Sequence, residues 1–423
     1  MAPVRTGGLS KGDRPALTSR KKATDRVTLV NLSADSKASD TLAVYVHWPF
    51  CVSKCPYCDF NSHVRSSIDQ DEWREALLTD LAHEARLLPD RRLTSIFFGG
   101  GTPSLMDPAT VEAVIRAATE HWPPAADVEI TLEANPNSVE AARFADLGRA
   151  GVNRLSLGLQ SFDDAALRFL GRAHSSREGF RALEIAQRNF RRVSFDLIYA
   201  LPGDSDASWS ATLAQALALG TSHLSLYQLT IEPGTRFAAM VARGELEPLD
   251  LDTAAALYEL TDAMTSAAGM PGYEISNHAR RGQESRHNLA YWRYRDFAGV
   301  GPGAHGRRLG ARTARRRKPE NYLSAVAATG HGIAEEAPLS AVEAADEMLV
   351  MGLRLREGVD VREIAERFGL ESIVDWDRIE RLGQSGHLRR EGTRIELTPA
   401  GRLLLDHILG EIAAAEPSYA VAS

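Results

Sequence analysis

The 423-residue chain has very little cysteine: three residues in all, Cys51, Cys55 and Cys58, gathered in one short stretch. None is left to staple a fold elsewhere, which excludes a disulfide-framed secreted domain. Long apolar runs are also missing. No stretch reaches the roughly 18 residues that a membrane-spanning helix needs. The N-terminus has no apolar h-region, so no secretory signal is expected, and thiols without disulfide partners fit a reducing cytoplasm. Positive charge is not in excess, with 49 Lys and Arg against 56 Asp and Glu for a net charge of -7. That balance excludes a general nucleic-acid binder, while a local basic patch stays open. What remains is ordinary globular composition, 44% hydrophobic and 25% charged, at a length that suits two or three domains.

Residues 1–40 read as a disordered tail rich in Gly, Ser, Thr, Lys and Arg, without hydrophobic periodicity. Asp13 and Asp25 interrupt its basic run and speak against a transit peptide. From Leu42 short apolar runs (43–47, 95–98, 128–132, 154–159, 193–198 and 223–229) alternate with helical stretches such as 71–87, 108–121 and 138–150. That alternation predicts parallel βαβ units and an α/β fold, an open barrel of six units whose chemistry collects at the carboxyl ends of the strands. The expected division is a barrel core over 41–240, an extension over 241–335 and a terminal domain over 336–423. In the last, helices at 342–355, 361–368 and 376–384, a hairpin and a helix at 401–409 give a winged-helix-like α+β layout. The helix at 376–384 and its start are acidic at Asp375, Asp377 and Glu380, so packing or partner binding is expected there rather than DNA reading.

The three cysteines form C-x3-C-x2-C at the end of the first predicted strand. Three thiolates can hold three irons of a four-iron cluster, leaving one iron open to a ligand. Two other readings are a zinc site completed by His47 or His63, and three inert buried thiols. The later strands end in polar punctuation: Gly99-Gly100-Gly101-Thr102, Glu133-Ala134-Asn135, Gln160-Ser161, Asp196 within the fifth strand, and Thr230. Arg172 follows the fourth. One polar ligand at successive strand ends accounts for so many costly polar groups. Farther on, His287-Asn288-Leu289-Ala290-Tyr291-Trp292 places an imidazole, an amide and two aromatics together. This is either a haem site or a buried aromatic cluster with a bonded histidine. Glycines at 299–306 imply a close backbone approach. The basic run 307–318 is either a solvated loop or a partner for carboxylates such as haem propionates.

The C-x3-C-x2-C motif with Tyr57 before its last cysteine resembles the radical S-adenosylmethionine superfamily. From Leu42 onward the chain resembles the oxygen-independent coproporphyrinogen III oxidase-like group within it. The resemblance implies a partial (β/α)6 barrel and a [4Fe-4S] cluster on Cys51, Cys55 and Cys58. It implies S-adenosyl-L-methionine contacts at Tyr45, Tyr57, Gly100, Gly101, Thr102, Glu133, Gln160, Arg172, Asp196 and Thr230. Two features are similar to the haem-chaperone branch: phenylalanine at Phe60, where decarboxylating members carry a further cysteine, and H-N-x-x-Y-W. They imply haem binding by His287, Asn288, Tyr291 and Trp292, and transfer to acceptor haem proteins, respiratory and membrane-associated. Nucleic acid is not an expected partner, and a homodimer is left open. The alternatives are a coproporphyrinogen III dehydrogenase and, from a different class, a DNA-binding redox regulator.

Overall fold

The computed structural model describes residues 40–65 and 67–419, so the tail expected over 1–40 lies, but for Asp40, outside the described residues. Six strands pair in parallel and in chain order: β1 (Thr41–Trp48), β2 (Arg92–Gly100), β3 (Pro124–Ala134), β4 (Arg154–Gln160), β5 (Arg192–Tyr199) and β6 (His223–Gln228). Helices such as Gln70–Leu87, capped by Asp69, and Ser176–Asn189, capped by the Ser175–Glu178 capping box, return the chain between them. This is the α/β partial barrel expected of the sequence.

The two-residue period of a strand divides each barrel strand between two environments. Leu42, Val44, Val46 and Trp48, then Ile96 and Phe98, Ile130 and Leu132, Leu155 and Leu157, Phe195 and Leu197, and Leu224 and Leu226 join one apolar core with the helices. The alternate residues face inward and are largely polar. Their register stacks them in layers: Phe97 beside Thr131 beside Arg154, then Glu133 beside Ser156 beside Ser194 beside His223.

The extension adds strands to the same sheet, which the sequence pattern did not suggest. β7 (Asn277–Ala279) lies antiparallel on β6. On the opposite edge β8 (Phe297–Val300) runs parallel to β1, and β9 (His305–Arg308), β10 (Ala311–Arg315) and β11 (Ile333–Pro338) continue antiparallel. The glycine-rich turn before β9 serves this junction, since a Cβ on Gly301 would lie 2.3 Å from His47 O.

The basic run is neither a solvated loop nor, at its buried positions, a partner for a ligand. Arg315 bonds Asp80 and Glu84, and Arg308 bonds Glu84 and Glu336. Arg307 stacks 3.6 Å over the Tyr294 ring. Arg308 and Arg315 fasten the extension to the helix Gln70–Leu87, and the run is polar there because it meets buried carboxylates. Only Arg316, Arg317 and Lys318 reach the surface together, and there Asn61 Nδ2 donates to Arg317 O.

The helix expected over 138–150 is broken into Ser138–Ala141 and Phe144–Arg149. Buried Glu140 takes bonds from Ser104 Oγ and Asn135 N, and Arg143 donates to Ser104 O and Met106 O. Those contacts pin the first turn to the glycine loop. Toward the C-terminus the helices Ala341–Gly352, Val361–Phe368 and Trp376–Gln384 surround a three-stranded antiparallel sheet of Val359–Asp360, Arg394–Leu397 and Leu388–Glu391. The last long helix begins at Leu405 rather than Gly401, after a short turn over Pro399–Arg402. Leu349, Ile364, Ile379, Ile395 and Ile408 centre a second apolar core, and Tyr294 joins it from the barrel side.

Candidate functional site

β1 leads directly into the cysteine loop. Gly101 N donates to Trp48 O and Thr102 N to Phe50 O, so the end of β2 is laid along the loop's first residues. A Cβ on Gly101 would meet Phe50 O at 2.6 Å, and no other residue fits there. Thr102 Oγ1 donates to Cys51 Sγ at 3.5 Å, and Arg172 Nη1 to Cys55 Sγ at 3.4 Å. Burial pushes the Cys51 thiol up to about 11 and raises Cys58 as well. Metal binding at these sulfurs therefore has to displace protons.

The zinc reading fails on this geometry. The two ring nitrogens of His47 are engaged, Nδ1 with Tyr45 OH at 3.1 Å and Nε2 with Asn61 O at 3.0 Å. His63 Nε2 meets Asn61 Oδ1. Among the described residues no three His, Cys, Asp or Glu converge on a single-ion site. Three thiols on one loop, each facing a side-chain partner in Thr102, Arg172 or Ser62, suit a multi-iron cluster.

A cavity of about 480 Å³ opens beneath the loop and runs down the barrel interior. Of the residues expected at the cofactor, Tyr57, Gly100, Gly101, Thr102, Glu133, Gln160, Arg172, Asp196 and Thr230 line it. Tyr45 does not. It is buried against Phe97, ring centroids 6.2 Å apart, with its hydroxyl spent on His47. Gln160 has φ +68°, a strained position for a residue with a side chain, at the mouth of the cavity. Gly100 N donates to Glu133 Oε2 at 3.2 Å, and Ser156 Oγ to Asp196 Oδ1 at 3.3 Å. Burial, with the Glu133 charge behind it, pushes Asp196 up to about 7, and burial also raises Glu133. The sequence reading missed the serines of the inner layers, Ser156, Ser194 and Ser225, although a small polar residue between two apolar ones in each strand was their signal.

The inner end is closed by residues 283–288. Glu129 binds Arg192 at 2.7 Å and Arg154 at 3.2 Å, and it accepts from Ser285 Oγ and His287 N. The H-N-x-x-Y-W motif lies on the short helix Arg286–Trp292 and divides by face. Asn288 and Trp292 line the cavity. His287 does not: it is 4% exposed, bonded through Nδ1 to Ser95 Oγ at 3.2 Å and stacked 5.0 Å from Phe97. Burial pushes its pKa down to about 3, so the ring is neutral, but it is not accessible as an iron ligand must be. Tyr291 packs on Phe297 at 5.2 Å and is likewise away from the cavity. Arg354, which no motif announced, reaches the cavity from the turn after the helix Ala341–Gly352.

Comparison with known proteins agrees with this geometry. The Radical SAM superfamily profile matches residues 45–216 and the HemN C-terminal domain profile residues 339–404. The chain is 42% identical over 380 residues to the Bos taurus protein "Radical S-adenosyl methionine domain-containing protein 1, mitochondrial", covering 87% of this chain and 83% of that one. It is 37% identical over 376 residues to "Heme chaperone HemW" of Escherichia coli (strain K12), covering 87% and 97%. Its fold superposes on coproporphyrinogen III oxidase (HemN) from Escherichia coli, a radical SAM enzyme, with TM-score 0.74 at 23% identity over 88% and 89% of the two chains. Similarity at this level over nearly the whole of a HemW sequence, with the three cysteines at the head of the barrel cavity, means that the chain belongs to the radical S-adenosylmethionine superfamily and, within it, to the HemW family.

Proposed function

We propose that this protein is a haem chaperone, which takes haem as cargo at the H-N-x-x-Y-W end of the barrel cavity and passes it to acceptor haem proteins, respiratory and membrane-associated. The observation that carries the reading is the alignment with "Heme chaperone HemW" over 97% of that protein's length. Phe60 agrees with it: the side chain is 38% exposed beside the cysteines, with no thiol at the position of the further cysteine.

Cys51, Cys55 and Cys58 would hold the [4Fe-4S] cluster, and S-adenosyl-L-methionine would lie beneath it. Together these groups supply, when bound, a redox-active iron with an exchangeable position. The chain's own residues do the rest. Thr102 donates to Cys51 Sγ and Arg172 to Cys55 Sγ, which holds the two sulfurs in place. The backbone at Gly100 and Gly101 allows close approach, and Glu133 and Asp196 would accept from sugar hydroxyls. At the haem end Asn288 and Trp292 present polar atoms to the cavity. Iron ligation by His287 requires the helix Arg286–Trp292 to turn, because the ring is packed between Ser95 and Phe97.

The test pairs two measurements on anaerobically reconstituted protein. Haem titration should give a discrete Soret band, and incubation of the reduced protein with coproporphyrinogen III should yield no protoporphyrinogen. Product without a Soret band would replace the chaperone by a dehydrogenase.

A further inference from the structure

Buried hydrogen-bonding atoms without partners collect at the inner end of the cavity. Trp292 Nε1, Asn288 Oδ1, His223 Nδ1 and Arg354 Nε are all buried and unbonded, and all four side chains line the cavity. Buried polar atoms are nearly always satisfied, so a cluster of exceptions in one chamber points to a ligand or ordered water. Two of the four are obligate donors, since neither an indole nor a guanidinium nitrogen accepts.

These two donors belong together. The Arg354 guanidinium lies 4.5 Å over the Trp292 ring. Its neighbouring carboxylate, Glu274, pairs with it only at 3.7 Å through Oε2, beyond hydrogen-bond length, while Glu274 Oε1 accepts from Ser276 N and Asn277 Nδ2. Arg154 and Arg354 both line the cavity; Arg154 is already held by Glu129 at 3.2 Å, whereas the carboxylate nearest Arg354 is Glu274 at 3.7 Å. Asn288 and Trp292, four residues apart on one helix face, turn the same side of the motif toward this space.

We infer that Arg354 and Trp292 form a carboxylate subsite that takes a propionate of the haem, an inference that rests on the chaperone reading. Cargo recognition by the motif then includes the indole N–H of Trp292. Asn288 Oδ1 and His223 Nδ1 bond the water that accompanies the carboxylate. Arg354 lies in the segment that matches the HemN C-terminal domain profile, so the bound carboxylate ties that segment to the barrel.

The experiment titrates haem and haem dimethyl ester, which has no free carboxylate, into reconstituted full-length protein and follows the Soret band. The native protein should prefer haem by about tenfold or more. Trp292→Phe keeps an aromatic ring under Arg354 and removes the N–H together with part of the indole's bulk, a loss that weakens haem and ester alike; Arg354→Gln removes the charge. Each should weaken haem binding on the order of tenfold more than ester binding, so that the preference collapses. A preference that survives Trp292→Phe and Arg354→Gln overturns the subsite and leaves the chaperone reading standing. Absence of haem binding in the native protein overturns both. If Arg354→Gln does not fold, as read from melting temperature and cluster absorbance, the Trp292→Phe result decides alone.

Discussion

Arg172 touches Cys55: its Nη1 lies 3.4 Å from the sulfur while Nη2 donates to Asn135 Oδ1 at 2.5 Å and Gly158 O at 3.0 Å. A residue expected only at the cofactor's carboxylate thus also contacts one of the three cysteines. Its Nε has no partner and is buried at the cavity wall. Arg172→Ala should therefore weaken S-adenosyl-L-methionine binding by roughly tenfold or more and also lower the iron and sulfide retained after anaerobic reconstitution. Equilibrium binding and metal analysis measure the two effects separately. Normal values of both would make Arg172 a spectator.

Asp196 and Glu133 carry a pH dependence whose sign follows from their burial. The Asp196 carboxyl titrates near 7, well above its ordinary 3.8. The folded protein therefore holds a proton that the unfolded chain has lost between about pH 4 and pH 7. Stability falls across that window as pH rises, and above it the cost is fully present. Ser156, Ser225, Arg172 and Glu133 all bear on the carboxyl, and only Glu133 adds to the upward shift of burial. Asp196→Asn keeps the shape without the charge. Its melting temperature relative to the parent should improve by several degrees between pH 5 and pH 8. A difference that does not change with pH would show that Asp196 titrates normally.

The extension's hold on the barrel depends on a fully buried ionic cluster. Asp80 accepts from Arg315, from Tyr322 OH at 2.9 Å and from Gly332 N at 3.1 Å, and Glu84 bonds Arg308 at 2.7 Å. Asp80→Ala would leave Arg315 in the core with one carboxylate instead of two. A loss of about 3–5 kcal/mol in denaturant-derived stability is expected, as for other broken buried pairs. A loss below about 1 kcal/mol would mean that water reaches the cluster.

The barrel was legible because short apolar runs alternate with helical stretches, and the gathering of Cys51, Cys55 and Cys58 at the head of the cavity because the chain has no other cysteine. The glycine loop, Glu133 and Asp196 could be read as strand-end punctuation. The extension's strands could not: β9 and β10 are short and arginine-rich, and arginine is a poor sign of burial until Asp80 and Glu84 are brought beneath it from another helix. Arg354 was hidden for the same reason, since it reaches the cavity only when the C-terminal core packs on the barrel. The H-N-x-x-Y-W motif misled in part. Its composition suggests one shared site, but seven residues of helix divide it, sending Asn288 and Trp292 to the cavity and His287 and Tyr291 elsewhere.

That division makes His287 the most informative single substitution. The ring fills the space between Tyr45, 6.1 Å away, and Phe97, and its Nδ1 pairs with Ser95 Oγ, which is fully buried. His287→Ala should open a cavity and strip Ser95 of its partner, costing on the order of 2–4 kcal/mol. In the folded fraction the haem Soret band should keep its position and its titration midpoint, because the cavity is lined by the other half of the motif. His287→Gln, which can restore a bond to Ser95, should recover part of the stability with the same spectrum. A shifted or lost Soret band in both variants, with the cluster absorbance intact, would instead make His287 the iron ligand. The helix Arg286–Trp292 would then have to rotate when haem arrives.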